Sequence, residues 1–261
     1  MGLTKDGHES ARPSGPSATS GNPESGNSVG DLEARLEEMA DATNLAVHEL
    51  RAPLGVASGY TSMLLDGSLG LGPEEWSMTL KLIAEKLSDA TELVNNMLIL
   101  ARLNSETQSP RQEDVDLVLI AKAAGGRAQS RADLVGGSIE IENEDAEVHA
   151  RCDEGMAATI VDNLVSNALL YGGDAPKVTI RVSRSPGPQI SVTDHGRGID
   201  EGLQRRVFER FFRVTDRGTI PGSGLGLYLS DKLAKQQGGR LSLDWYEVGQ
   251  GSTFTLRLRY D

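Results

Sequence analysis

The sequence predicts an α+β protein, in which a helical hairpin is followed by a sandwich of strands with helices on one face. Three observations carry this. Apolar residues recur at helical intervals from residue 32 to about residue 104, with one glycine-rich break. Beyond residue 111 the periodicity alternates between two and about 3.6 residues, as strands and helices take turns. A polar stretch, 105–111, separates the two patterns.

Residues 1–28 are rich in Gly, Ser, Pro, Thr and Asn and poor in large apolar residues. Such a segment cannot bury enough surface to offset its ordering entropy, and it reads as a disordered tail or linker. The hairpin domain follows over 29–106. Asp31 is placed to cap a helix with the stripe Leu32, Leu36, Met39, Ala46, Leu50, Leu54 and Ala57, running to about Leu65 with a kink expected at Pro53. The run 66–72 is a turn, and Pro73 with Glu74 and Glu75 opens a second helix to about Asn104. Its stripe is Trp76, Leu80, Ile83, Leu87, Leu93, Met97 and Leu100. A hairpin alone leaves these stripes uncovered, so a homodimer forming a four-helix bundle is expected; the alternative is packing onto the rest of the same chain.

The second domain spans 112–261. Residues 115–124 begin strand-like and turn helical, 138–141 and 148–152 read as short strands, and Asp153 caps a helix through Tyr171. Residues 177–183 and 189–193 alternate with period two, 223–237 is helical, and 240–245 with 252–259 reads as a closing strand pair.

Composition narrows the function classes. The net charge of −12 argues against a nucleic-acid partner, because phosphate backbones are bound mainly through Lys and Arg. No apolar run approaches the roughly 20 residues of a membrane span, and no leading segment reads as a signal peptide. The single cysteine, Cys152, excludes an internal disulfide and fits a reducing cytoplasm. Against this acidic background Arg205, Arg206, Arg210, Arg213 and Arg217 stand out as a local basic cluster suited to phosphate.

His48 lies on the first helix in Ala46-Val47-His48-Glu49-Leu50-Arg51-Ala52-Pro53-Leu54. A histidine on a helix is, by itself, more often packed or solvated than catalytic. Glu49, however, can hold one ring nitrogen and leave the other as an in-line nucleophile near neutral pH. Three motifs suited to a nucleotide follow. In Asn163-Leu164-Val165-Ser166-Asn167-Ala168, with Tyr171 beyond, the two amides are four residues apart and share a helix face, where a neutral oxygen can ligate Mg2+ while phosphates supply the charge. In Asp194-His195-Gly196-Arg197-Gly198-Ile199, a carboxylate at a strand end can accept the exocyclic amine of adenine, and Gly196 and Gly198 let the backbone turn against the base. In Pro221-Gly222-Ser223-Gly224-Leu225-Gly226-Leu227, a glycine-rich turn enters a helix whose free N–H groups favour phosphate oxygens. That turn lacks a P-loop lysine and the early position of a Rossmann fingerprint. Between the second and third motifs, Val207-Phe208-Glu209-Arg210-Phe211-Phe212-Arg213 and the polar stretch to Ile220 suit a lid that brings Arg213 onto the terminal phosphate.

The order of these motifs, with His48 on its own hairpin, resembles the bacterial sensor histidine kinases over about 31–259, matching their H, N, G1, F and G2 boxes. The resemblance implies a dimerisation and phosphoacceptor hairpin, then a Bergerat-type ATP-binding domain like those of gyrase, the Hsp90 chaperones and MutL. It implies His48 as phosphoacceptor, Glu49 as its acid/base partner, Asn167 as Mg2+ ligand with Asn163 beside it, and Asp194 as adenine reader. ATP and Mg2+ are then the expected cofactors, a response-regulator receiver domain the expected partner, and autophosphorylation followed by transfer to a regulator aspartate the expected activity. The chain shows no sensor region, so input would come from a partner protein or from a longer chain of which this is a part. Two positions depart from the family pattern. Ala52 stands where Thr or Asn usually positions a water for phosphatase chemistry, and Leu170 stands where a Lys often precedes the tyrosine, leaving Arg213 as the phosphate cation. Two other readings fit parts of the pattern: an ATPase clamp, disfavoured by the His48–Glu49 pair, and a dimeric pseudokinase scaffold, disfavoured by intact Asn167, Asp194 and glycine turns.

Overall fold

The computed structural model describes residues 24–69, 72–104, 109–213 and 222–260, with side chains from Asn44 onward except those of Pro73 and Asn104. The expected tail up to residue 23, the side chains of Leu32, Leu36 and Met39, residues 105–108 of the linker, and Arg217 with the rest of 214–221 lie outside the described residues. The chain divides into two compact units, Met1–Leu45 and Ala46–Asp261. What is described of the first is the helical backbone from Glu24 onward.

Helix α1 (Glu24–Leu65) starts ahead of Asp31, so Asp31 lies inside the helix rather than at its cap, and 24–28 are helical rather than tail. No proline stands between Pro23 and Pro53, so nothing in the backbone stops the helix from extending back to Glu24. The helix continues through Pro53 without a break. Helix α2 (Pro73–Asn104) begins as its sequence dictates, with Glu74 and Glu75 in the first turn and Glu75 accepting from the Gly72 N–H at 2.5 Å. Its far end does not join an exposed stripe: Ile99, Leu100 and Leu103 pack against the main core. Val47, Leu54, Trp76, Leu80, Leu87 and Val94 remain exposed.

Strand β1 (Glu113–Asp116) leads into α3 (Leu117–Leu134), capped by Asp116, which accepts from the Val118 N–H at 3.0 Å. Helix α3 runs well past the expected helical segment because Gly125-Gly126 does not end it. A Cβ at Gly125 would press on Ile141, so the glycine lets the helix lie close on β2 (Ser138–Asn143). The remaining elements are β3 (His149–Cys152), α4 (Glu154–Tyr171), β4 (Lys177–Ser183), β5 (Gln189–Asp194), α5 (Gly226–Gln236), β6 (Arg240–Glu247) and β7 (Gly251–Arg257). Two short 3-10 turns, Glu201–Leu203 and Arg206–Phe208, precede α5. The expected helix from Ser223 starts later, at Gly226, because Gly222 and Gly224 both take positive φ.

The main sheet has the order β2-β4-β5-β7-β6, with β2 parallel to β4 and every other pair antiparallel. Strands β1 and β3 form a separate antiparallel pair. The core lies between this sheet and the helices: Ile160, Leu164 and Val165 of α4 are buried with Val178, Ile180 and Val182 of β4, Ile190 and Val192 of β5, and Leu256 of β7. The strand residues alternate, and the buried α4 residues Ala157, Ile160, Val161, Leu164 and Ala168 include pairs three and four apart, as burial of one face requires. Among the described residues no helix is long and apolar enough to cross a membrane.

Cys152 closes β3 fully buried, and burial, reinforced by Asp153, Glu154 and Asp114, pushes its thiol up to about 11. Only the thiolate is nucleophilic, so in the folded protein Cys152 is expected to resist alkylation at pH 8 to 9 and to react once urea unfolds it. Mass spectrometry after iodoacetamide treatment checks this; rapid labelling of the native protein contradicts it.

Candidate nucleotide site

Helix α4 carries the first wall of the site. Asp153 fixes its start, one carboxylate oxygen accepting from the Met156 N–H at 3.0 Å and the other from the Arg111 N–H at 3.0 Å. With its apolar face on the sheet, α4 lines a cleft of about 1150 Å³, part of it open solvent, with Asn163, Asn167, Leu170 and Tyr171. Asn163 is committed to the scaffold: its amide donates to the Ser230 hydroxyl at 3.3 Å and the Gly226 carbonyl at 3.5 Å, tying α4 to α5. No such hydrogen bond is found for the Asn167 amide among the described residues.

The end of β5 supplies the second wall. Asp194 is 6% exposed, accepting from the Ser252 hydroxyl at 2.6 Å and the Gly196 N–H at 2.9 Å. Ser252 lines the same cleft and gave no sequence signal, because only the β5–β7 register sets it opposite Asp194. The turn after Asp194 rests on the β6–β7 hairpin, where the Gly249 N–H donates to the Arg197 carbonyl at 2.7 Å. Arg197, Gly198 and Ile199 line the cleft, and the Arg197 guanidinium stacks on the Tyr171 ring at 4.7 Å from its centroid. Gly196 does not line it, because its Cα faces the C-terminal backbone of α4 around Tyr171. Gly196, expected to let the backbone turn against a base, lets a loop and a helix end approach each other.

The aromatic segment and the glycine turn make the third wall. Phe208 meets Phe254 edge to face at 6.0 Å, and the Phe211 N–H donates to the Gly224 carbonyl at 3.0 Å. Gly224 has φ +68 and lies so close to Phe211 and Phe212 that a side chain would collide with their backbone. Phe212, Arg213, Gly222, Ser223, Gly224 and Gly226 line the cleft. Leu225, expected among the nucleotide contacts, is 1% exposed and does not line the cleft, unlike Gly224 and Gly226 on either side of it. Of the arginine cluster, only Arg213 is a described residue on the cleft wall. Arg206 stacks on Phe212 at 4.4 Å, Arg210 lies over Tyr228 at 4.9 Å and donates to its hydroxyl at 2.9 Å, and Arg205 is not on the wall.

A fourth group of residues had no sequence signal. Asp89 and Glu92 of α2 and Arg131 of α3 also line the cleft, and Arg131 donates to the Ser166 hydroxyl of α4 at 3.0 Å. His48 is not on the cleft wall. Its ring is 74% exposed on α1, with Nδ1 3.7 Å from the Glu49 carboxylate, and Ala52, one turn on, is also exposed. The structure thus gathers Asn167, Tyr171, Asp194, Gly198, Ile199, Arg213 and the glycine turn in one place and leaves His48 and Glu49 in another.

Gly198, at φ +69, abuts the Glu247 carbonyl, so a Cβ there would collide with backbone. Gly198→Ala is expected to cost about 1–3 kcal/mol of stability, read as a lower urea midpoint. An unchanged midpoint contradicts this account of the turn.

Two family models match the chain. The His Kinase A (phospho-acceptor) domain covers residues 38–106, and the histidine kinase-, DNA gyrase B-, and HSP90-like ATPase domain covers 152–261. The chain is 35% identical over 221 residues to the sensor-like histidine kinase SenX3 of Mycolicibacterium smegmatis, covering 81% of this chain and 55% of that protein. It spans about half the length of the curated relatives it matches first. The solved structure of full-length ShkA in complex with AMPPNP is similar at 26% identity and a TM-score of 0.59, covering 84% of this chain and 45% of ShkA. Histidine kinase ThkA, solved in complex with response regulator TrrA, shares the fold at a TM-score of 0.67 and 20% identity, over 87% of this chain and 63% of ThkA. The helix pair bearing His48, the mixed sheet with its cleft and these likenesses agree: the chain belongs to the sensor histidine kinases of two-component systems.

Proposed function

We propose that this chain is the catalytic core of a histidine kinase, which transfers the γ-phosphoryl group of ATP to His48 and from there to an aspartate of a response-regulator receiver domain. The observation that carries this is the convergence of Asn167, Asp194, Arg213 and the glycine turn, from widely separated segments, on one cleft. The AMPPNP complex of ShkA and the regulator complex of ThkA support it by likeness. The phosphoacceptor helix pair is assigned to 29–106 and the catalytic domain to 112–261. ATP chemistry and a lone reduced cysteine fit the cytoplasm.

In this reading Asp194 accepts the adenine amine with lone pairs left over from Ser252 and Gly196. The turn at 222–226 offers backbone N–H groups to phosphate, and Arg213 offsets charge on the terminal phosphoryl group. Asn167, with its uncommitted amide and Asn163 beside it, would hold Mg2+, which when bound draws charge from the phosphates. Glu49 takes the proton from Nδ1 of His48 while Nε2 attacks. The N–P bond forms, the bond from Pγ to the bridging oxygen breaks, and ADP leaves. His48 lies off the cleft, so transfer requires the catalytic domain to leave the arrangement described and approach an imidazole of its own or a partner's helix pair.

The helix pair favours a homodimer. Leu80, Leu87 and Val94 recur every seven residues on α2 and are exposed, as are Val47 and Leu54 on α1, the spacing that a second helix pair covers.

Incubation with γ-labelled ATP tests the reading: an acid-labile label is expected on the wild type and none on His48→Gln, while ATP still binds. Glu49→Gln is expected to slow labelling by about 10²-fold. Label retained on His48→Gln refutes the acceptor. For the nucleotide, Asp194→Asn is expected to weaken adenosine and ATP alike, and Asn167→Asp to weaken ATP in Mg2+ while sparing adenosine. Unchanged calorimetric affinities in both variants refute the site.

A further inference from the structure

The cleft is bounded on one side by a helix that belongs to none of its motifs. Helix α2 packs against α5, and its Ile99, Leu100 and Leu103 are seated on the core of the catalytic domain. Two turns back along the same helix, Asp89 and Glu92 line the cleft beside Arg131. Asp89 has a cation of its own, Lys86 at 2.9 Å. Glu92 has no ion pair among the described residues; it feels Arg131 by longer-range attraction and Asp89 by repulsion, and burial pushes its carboxyl up. In a partly desolvated cleft a carboxylate repels phosphate oxygens more strongly than it would in water.

We infer that Glu92, with Asp89 beside it, is a charge gate that the helix pair places on the nucleotide cleft, so that seating of the catalytic domain on α2 and binding of a nucleotide's phosphate chain oppose each other. This rests on the reading of the cleft as the ATP site. When α2 is seated, Glu92 adds negative charge to the wall of the cleft and attracts Arg131. A bound triphosphate competes for Arg131 and repels Glu92, which favours release of the domain that must travel to His48. The coupling is reciprocal, as any linkage between two equilibria must be. The residues act through charge on the nucleotide and through the docked helix, and they are not placed among the reacting atoms.

Calorimetry on the whole chain, with ATP, ADP and adenosine as titrants, tests this in wild type, Glu92→Gln and Glu92→Lys. The expected result is a stepwise tightening of ATP and ADP, roughly threefold to tenfold per unit of charge removed, with adenosine unchanged and the gain shrinking as salt rises from about 0.05 to 0.5 M. Unchanged ATP affinity in both variants overturns the gate. Equal tightening of ATP and adenosine also overturns it, because the effect is then access and not charge. A wild type that binds neither ATP nor adenosine overturns the nucleotide reading itself, and the gate with it. The gate fails alone when the wild type binds ATP and the variants match it.

Discussion

One helix has to satisfy two surfaces at once. Helix α4 buries Ile160, Leu164 and Val165 against β4, β5 and β7, and that contact fixes its rotation about its own axis. With the rotation fixed, Asn163 and Asn167 have no choice of direction: they face the cleft, one bonded to α5 and the other uncommitted. The position of Tyr171 follows, as does the stacking of Arg197 and the close approach of Gly196 to the helix end. A core substitution such as one at Leu164 would therefore be felt first as a misplaced amide, because interiors at crystal-like density transmit small shifts rather than absorb them.

The same economy governs charge. In a chain of net charge −12, cationic groups near the cleft are few, and several lie over aromatic rings: Arg197 on Tyr171, Arg206 on Phe212, Arg210 on Tyr228. Such stacking desolvates one face of the guanidinium and fixes its plane at little entropic cost. Within the aromatic segment that sequence suggested as a lid, Phe212 carries Arg206, while Arg210 of the same segment lies over Tyr228 of α5.

Much of the fold could be read from periodicity and punctuation. The strand ranges of β4 and β5 and the Asp153 cap of α4 are local features, and each was legible because the residues that decide it are neighbours. The start of α1 was not, since sequence offers Asp31 as a cap but the backbone has no reason to stop there. The run of α3 past residue 124 was not legible either, since the room that Gly125 leaves is for Ile141, from another element. For the cleft, the motifs named residues whose chemistry suits phosphate or base, but not those brought in by topology. Ser252 is opposite Asp194 only through strand register, and Asp89, Glu92 and Arg131 arrive from helices with no motif of their own. Gly196 and Leu225 belong to the motifs but do not line the cleft, since a motif marks a segment and not every residue in it faces the same way.

The hydrogen bond from Phe211 to Gly224 has a consequence for how the family could diversify. It joins the chain on either side of 214–221, so the ends of that segment are held by the scaffold whatever lies between them. Closing a loop whose ends are already pinned costs little more when the loop grows, about 0.6 kcal/mol for each doubling of its length. Insertions and deletions between Arg213 and Gly222 would then leave the sheet and α5 nearly as stable as before. The bond makes this segment a place where sequence length can vary with little consequence for folding.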